Sequence, residues 1–423
     1  MRLLNRYSVI GDSLLITVFA FQAMAGAGES STAGTFLRAD THLHLKGCDG
    51  NATATDLIQM LMAEDLDIAA GLSWGASWDF GSLSLTGEDS RASVPGHILH
   101  YDLEISSFPA ALLGHLTLLG VESPHFSLTP FSSPRSNLPI IRWAITNNPR
   151  VLIGMSHGQA WPSDRTFPAW ASSCCTPFEY PIEVALGLSN FLEIEPALNW
   201  GAGDRLPDEL PFLWKSLLNT GFRVPLTGAS DYPCLSNRPG TARTYVLTEG
   251  KVSYSAMLEG IRQGRTVMAI GHRDWLNLRI NGAQIGEETR VKAGAALEVT
   301  LESNLAQLEE IVLYANGSPV ATLRMHPGPQ VVSAQVKIGT SAWISARSST
   351  VLTSPIYVLV DGMPVRPSAE SACYFIRYVD YLLTNVTSRN VLGDEEEEVL
   401  GSYRAARSEF ERRFHEGGGE VCS

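Results

Sequence analysis

The chain has 423 residues, with Lys+Arg 31 against Asp+Glu 44 and a formal charge of -13. With 44% hydrophobic and 18% charged residues it carries enough apolar surface to bury a core, which excludes disorder as its main state. The acidic balance repels phosphate backbones and argues against nucleic acid as a partner, and the length predicts two or three domains.

Residues 1–27 read as a signal peptide. Arg2 and Arg6 give a basic start, residues 14–21 a short apolar stretch, and Ala23-Met24-Ala25 small residues at a cleavage spacing. That stretch is well short of the roughly 20 residues a spanning helix needs, and no later segment is long and apolar enough. The expectation is an exported protein, periplasmic or extracellular, with no stable membrane span. Six cysteines (Cys48, Cys174, Cys175, Cys234, Cys373 and Cys422) permit disulfides there, in any of 15 full pairings.

Residues 36–44 read as a strand, and 57–62 as part of a helix with Asp56 near its start. Further strands are predicted at 68–72, 103–105, 151–155, 191–195 and 223–226, and helices at 138–145, 181–188, 211–218 and 254–261. This alternation predicts an α/β barrel or doubly wound sheet. From 275 to 365 the texture changes to short alternating runs punctuated by Asn281-Gly282, Asn316-Gly317 and Asp361-Gly362. Such pairs are hairpin turns, so a small antiparallel β-sandwich is expected. Residues 368–414 read as helical. The acidic run at 394–398 marks a solvated loop or a helix start.

Asp40-Thr41-His42-Leu43-His44 carries the strongest local signal. Residues two apart on a strand share a face, so both imidazoles can grip one metal ion at the strand's C-terminal end, where α/β barrels keep their chemistry. A bare His-x-His is also met as surface histidines on a loop. Other metal-ligating types stand near later strands: Glu104, then His115 eleven residues on, His157 and Asp231. Singly each has an ordinary reading, such as an ion pair or a satisfied core histidine. Together they form a nitrogen and oxygen set suited to zinc, manganese or iron.

With Glu104-Ile105-Ser106, Gly114-His115-Leu116, Gly228-Ala229-Ser230-Asp231 and the stretches 240–246 and 256–270, these residues resemble the PHP (polymerase and histidinol phosphatase) domain of metal-dependent hydrolases. Within it the chain is similar to the exported carbaryl-hydrolase-like (CehA/McbA) group. The resemblance implies a distorted (β/α)7 barrel over 35–272, then the β-sandwich at 275–365 and a helical tail at 366–423. It implies that His42, His44 and Asp231 hold one metal ion, and that Glu104 bridges to a second completed by His115 and His157. A metal-bound hydroxide would cleave an ester-like bond, a phosphoester, carboxylic ester or carbamate, in a small-molecule substrate, with Asp231 taking up the proton. Relatives with a third metal carry further histidines. Here Ser73-Trp74-Gly75 and Pro233 stand in those places, and no histidine lies near Gly50, so one or two metal ions are expected.

Cys48 and Cys234 flank ligand segments and read either as a disulfide or as a soft ligand. The Cys174-Cys175 loop, with Trp161, Trp170 and Phe178, reads as a lid or as packing. Glu193 and Glu195 read as histidine-orienting groups or as structural ion pairs. Arg243 reads as an anion contact or as the partner of an acidic residue. Two other functions fit the sequence: a catalytically weakened metal-containing binding protein, and a surface carbohydrate-binding protein led by the β region. Against the second, Trp275 and Trp343 stand isolated in sequence.

Overall fold

The structure, a computed structural model, describes residues 35–422 apart from 49, 74–88, 107–108, 122–133, 171–174, 196–204, 237 and 272. The signal-peptide expectation, and those for Trp74, Gly75 and Cys174, lie outside these residues.

Nine strands of the large sheet lie in the first part of the chain, among the described residues. They are β1 (Thr35–Leu43), β2 (Ile68–Ser73), β3 (Ile98–Ile105), β4 (Leu116–Leu119), β5 (Leu152–Met155), β6 (Phe191–Ile194), β7 (Leu226–Gly228), β8 (Ala242–Thr248) and β9 (Thr266–Ile270). Their hydrogen-bonded order is β9-β8-β1-β2-β3-β4-β5-β6-β7. β1, β2 and β3 are parallel, as are β5, β6 and β7. β4 runs antiparallel to both neighbours, and β8 antiparallel to β1 and β9. β4, β5, β6 and β9 are buried at every residue, the pattern of strands covered on both faces.

Helix α1 (Ala54–Ala63) shows the local logic. Thr53 caps it and Asp56 returns a bond to the cap, so two otherwise unpaired N–H groups are satisfied. Leu57, Ile58 and Leu61 face the sheet. Met62 is 54% exposed, because it lies about 140° around the helix from Leu57, beyond the edge of the buried stripe. Helices α2 (Asn137–Asn147), α3 (Tyr180–Ala185), α4 (Phe212–Asn219) and α5 (Tyr254–Arg262) follow.

The sheet curls into a cup. Its two flanks meet where Thr244 on β8 bonds both the N–H and the carbonyl of Gly228 on β7, each at 2.9 Å. Helix α5 plugs the floor. Its Tyr254, Met257 and Ile261 share one apolar cluster with Leu37, Ile68, Leu119, Leu152 and Phe191, drawn from five strands.

The β region beyond residue 274 holds a separate four-stranded sheet of Trp275–Ile280, Ala283–Gln284, Ala296–Leu305 and Gly328–Lys337. Its other strands extend the large sheet, because Val351–Thr353 pairs with β9 through Val267 and Thr353. The second layer of the expected sandwich is therefore shared with the cup. Glu288–Val291 also runs parallel to Ile356–Val360, so the layer is not wholly antiparallel. The physical reason is that β9 would otherwise present unpaired backbone groups.

The tail forms α6 (Ala369–Ser388) and α7 (Glu396–Glu416). The acidic run sets Glu396, Glu397 and Glu398 in the first turn of α7, where the helix dipole favours negative charge. Phe375 and Phe410 stack at 4.9 Å, and a Cys373–Cys422 disulfide ties the chain end to α6. Among the described residues no helix is long and apolar enough to cross a membrane.

Tail and cup meet at a buried carboxyl. Glu179 accepts from Tyr403 on α7 at 2.6 Å, from Ser136 Oγ at 2.6 Å and from the Asn137 backbone N–H at 2.7 Å. Burial outweighs these bonds and pushes its pKa from 4.5 up to about 7. Glu183, one turn on, is raised well above the usual range by burial and then by Glu179. Both carboxyls hold protons more tightly folded than unfolded, so stability falls as pH rises through this window. Glu179 alone should remove about 3 kcal/mol between about pH 4.5 and 8. Urea unfolding across that range should show a shallower slope for Glu179→Gln, with a remainder of the same sign from Glu183. An unchanged slope would refute this account of the junction.

Candidate metal centre

The parallel strands all point their C-terminal ends at one rim of the cup, its mouth. His42 lies next to the end of β1 with His44 just beyond it, Glu104 lies on β3, His157 follows β5, and Asp231 follows β7. β4 runs the opposite way, so its start faces the mouth, and His115 directly precedes that start. Gly114 turns the chain there at φ +130°. A methyl group on it would lie 2.6 Å from Met155 Sδ and 3.2 Å from Pro177 Cα, so the turn that presents His115 needs glycine. His157 and Asp231 sit in left-handed backbone, at φ 61° and 48°. For a residue with a side chain this costs about 1 kcal/mol or more, strain of the kind that clusters at functional sites.

All six residues expected from sequence converge. His42 Nε2 and His44 Nε2 lie 3.2 Å apart. Glu104 Oε2 stands 3.7 and 3.4 Å from them, and Asp231 Oδ1 3.6 and 3.3 Å. A tetrahedral site with metal–ligand bonds of about 2.1 Å has ligand–ligand edges of about 3.4 Å, and these separations bracket that value. The other carboxylate oxygen, Glu104 Oε1, turns to a second group. His115 Nδ1 is 2.9 Å and His157 Nε2 3.9 Å from it, and the two histidine nitrogens are 3.2 Å apart. One carboxylate thus faces two histidine pairs with separate oxygens.

Hydrogen bonds fix the tautomers of the first pair. His44 Nδ1 lies 3.0 Å from the Leu72 carbonyl, which can only accept. His42 Nδ1 lies 2.8 Å from Glu193 Oε1. With both Nδ1 atoms donating, two Nε2 lone pairs confront each other at 3.2 Å, an arrangement that calls for a positive charge between them. Asp231 Oδ1 is buried without a hydrogen-bond partner, as is Glu195 Oε1. The donor set and its unpaired atoms fit one or two divalent cations held by imidazole and carboxylate.

Where no cation lies between the two Nε2 atoms, the surrounding carboxylates call for a proton there instead. Burial alone would depress the His42 pKa, yet Asp231, Glu104 and Glu193 outweigh it and raise it well above the usual imidazole range. Burial would raise Glu104, but His115 and His42 hold it well below the usual carboxylate range. His115 is lowered, chiefly by burial, which keeps it neutral and ready to donate a lone pair. His157 is raised by Glu195 against the effect of burial.

The sequence left Glu193 and Glu195 open between two readings, and both lie against histidines. Glu193 also accepts from Thr41 Oγ1 at 2.5 Å and Thr117 Oγ1 at 3.2 Å, which fixes it behind His42. Glu195 Oε2 accepts the His157 backbone N–H at 2.9 Å and lies 3.3 Å from its Nδ1. Asp40 was given no role of its own. It is fully buried and accepts backbone N–H groups of Ser230 at 3.1 Å and Gly240 at 2.8 Å, clipping the Asp231 loop and the start of β8 to β1.

The remaining alternatives resolve in plain ways. Cys48 and Cys234 form a disulfide across the rim, so neither offers a thiolate, and Cys175 is disulfide-bonded as well. Trp161 donates to Tyr374 and packs on Tyr378 of the tail at 4.8 Å, which is packing. Arg243 bonds the Gly240 and Glu64 carbonyls and lies 3.9 Å from the Glu64 carboxylate, away from the six residues at the mouth.

Carboxylates behind ligating histidines typically set metal affinity by about 10–100-fold. Glu193→Gln should weaken zinc binding by about that factor at the His42 position, and Glu195→Gln at the His157 position. Competition with a chromophoric chelator resolves the two. Equal losses at both positions in each variant would contradict the pairing.

No family model matches the chain, and no curated protein matches it. Among solved structures, the chain is similar to a two-domain protein from Bacteroides vulgatus containing a predicted PHP-like metal-dependent phosphoesterase. The two are 12% identical with a TM-score of 0.41, over 78% of this chain and 100% of that one.

Proposed function

We propose that the chain is an exported PHP-type hydrolase of ester-like bonds, of the CehA/McbA kind, built on a seven-stranded β/α barrel and acting on a phosphoester, carboxylic ester or carbamate. One observation carries this reading: Glu104 divides its two oxygens between the His42–His44 pair and the His115–His157 pair. Asp231 completes the first group, giving it four protein donors. The second has three, the number that leaves a coordination position open for water or substrate. Zinc, manganese or iron would suit both.

When bound, such ions lower the pKa of a coordinated water toward about 7 and polarise the substrate oxygen. The chain's own residues do the rest. Glu193 and Glu195 hold His42 and His157 in one orientation. Asp231 would take up the proton lost by an attacking water through the carboxylate oxygen that ligation by Oδ1 leaves free. Glu104 stays ionised and keeps the two groups in register. Export is supported by the disulfides Cys48–Cys234 and Cys373–Cys422, which persist in oxidising compartments.

The purified protein should contain up to two equivalents of metal by mass spectrometry. The His42→Ala, His44→Ala double variant should hold at most one. With manganese or zinc, at least one of a nitrophenyl phosphate mono- or diester, a nitrophenyl acetate and a nitrophenyl carbamate should be cleaved. Chelation, or His157→Ala, should lower the rate by about 100-fold or more. Full metal occupancy with no turnover on any of these esters would instead support a metal-containing binding protein. Absence of metal under all loading conditions would defeat both readings.

A further inference from the structure

A hollow of about 580 Å³ lies where the outer face of the β1–β8 pair meets the four-stranded sheet, and none of the six residues at the cup's mouth lines it. Its size falls in the roughly 300–1,000 Å³ range of small-ligand sites. Three aromatic rings form one wall. Phe36 sits 5.7 Å from Tyr245 and 5.5 Å from Trp275, centroid to centroid. In the sequence Trp275 stands isolated, which argues against a carbohydrate platform. The fold gives it two aromatic neighbours from strands of the cup.

The opposite side is polar. Trp275 pairs across the sheet with Asn304, and Asn277 with Glu302, and all four line the hollow. Tyr245 and Asn277 are each only 2% exposed. Asn277 Oδ1 has no hydrogen-bond partner, and the Tyr245 hydroxyl makes no hydrogen bond among the described residues. Buried polar groups without partners are rare, and each asks for an explanation. One of them, the Asn277 oxygen, lines this hollow beside the aromatic wall, with the unbonded Tyr245 phenol next to it.

These features select the ligand. A purely apolar guest would leave the phenol and the carboxamide stranded, at a penalty. Arg38, Arg243 and Arg273 also line the hollow, but each is already engaged, Arg38 by Asp65 and Asp67, Arg243 by the Gly240 and Glu64 carbonyls and Arg273 by the Ala63 carbonyl, whereas Glu302 has no ion pair among the described residues, so an anion would meet an uncompensated carboxylate. A pyranose ring has flat C–H faces to lie against aromatic rings, and an edge of hydroxyls that both donate and accept. Phenol, carboxamide and carboxylate together can satisfy such an edge. We propose that this hollow binds a sugar unit of a neutral glycan, independently of the metal centre.

The test uses the full chain, because the cup and the β region both supply walls. Maltotetraose, cellotetraose, mannotetraose and chitotetraose are titrated by calorimetry and tryptophan fluorescence. At least one should bind with a Kd between about 10 μM and 1 mM. Tyr245→Phe and Asn277→Ala should each weaken that binding by about tenfold, with melting temperature and metal content unchanged. The His42→Ala, His44→Ala variant should bind the same sugar as well as wild type does. The proposal is overturned if none of the four binds at about 10 mM, if both substitutions leave affinity unchanged, or if removing the two histidines abolishes binding.

Discussion

A carboxylate taken out of water is costly unless a positive group or several donors meet it. The mouth of the cup gathers four carboxylates and four imidazoles with almost no solvent, so each must offset another. Glu104 lies at the balance point. It is held ionised by histidines from β1 and from the turn before β4, and it faces both sides of the site. Removing any one member would leave the others overcharged. The site therefore depends on the sheet delivering every strand end to the same depth.

Two backbone devices secure that depth. Asp40 spends its carboxylate on backbone N–H groups rather than on the site. It fastens β1 to the Asp231 loop and to the start of β8. The reversal of β4 is the second device. A parallel strand would offer the mouth its end, whereas β4 offers its beginning, so the ligand-type residue comes before the strand. Glycine at 114 makes the entry turn tight enough for that geometry.

The chemistry-bearing side chains were legible because strand geometry imposes a short code. His42 and His44 share a face through period two, and His157 and Asp231 stand after apolar runs that read as strands. Helices α2, α4 and α5 were visible in their apolar spacing. What escaped was whatever depends on partners distant in sequence. β4 is only four residues long and has no alternation to betray it. Glu193 could be seen to end a strand, yet its bond to His42 spans 151 positions. The merging of the β region with the cup is equally silent, because Val351–Thr353 is three residues chosen by a neighbour. Phe36, Tyr245 and Trp275 are unremarkable singly and form a wall only once the two sheets meet.

The ladder between β9 and Val351–Thr353 makes the appended region more than a passenger. Had the join been a flexible linker, the two parts could be swapped or shed like modules. Here the backbone of one completes the backbone of the other. Truncating the chain after the cup would lay bare a strand edge ready to recruit foreign strands, so a shortened version faces aggregation before it faces any loss of chemistry.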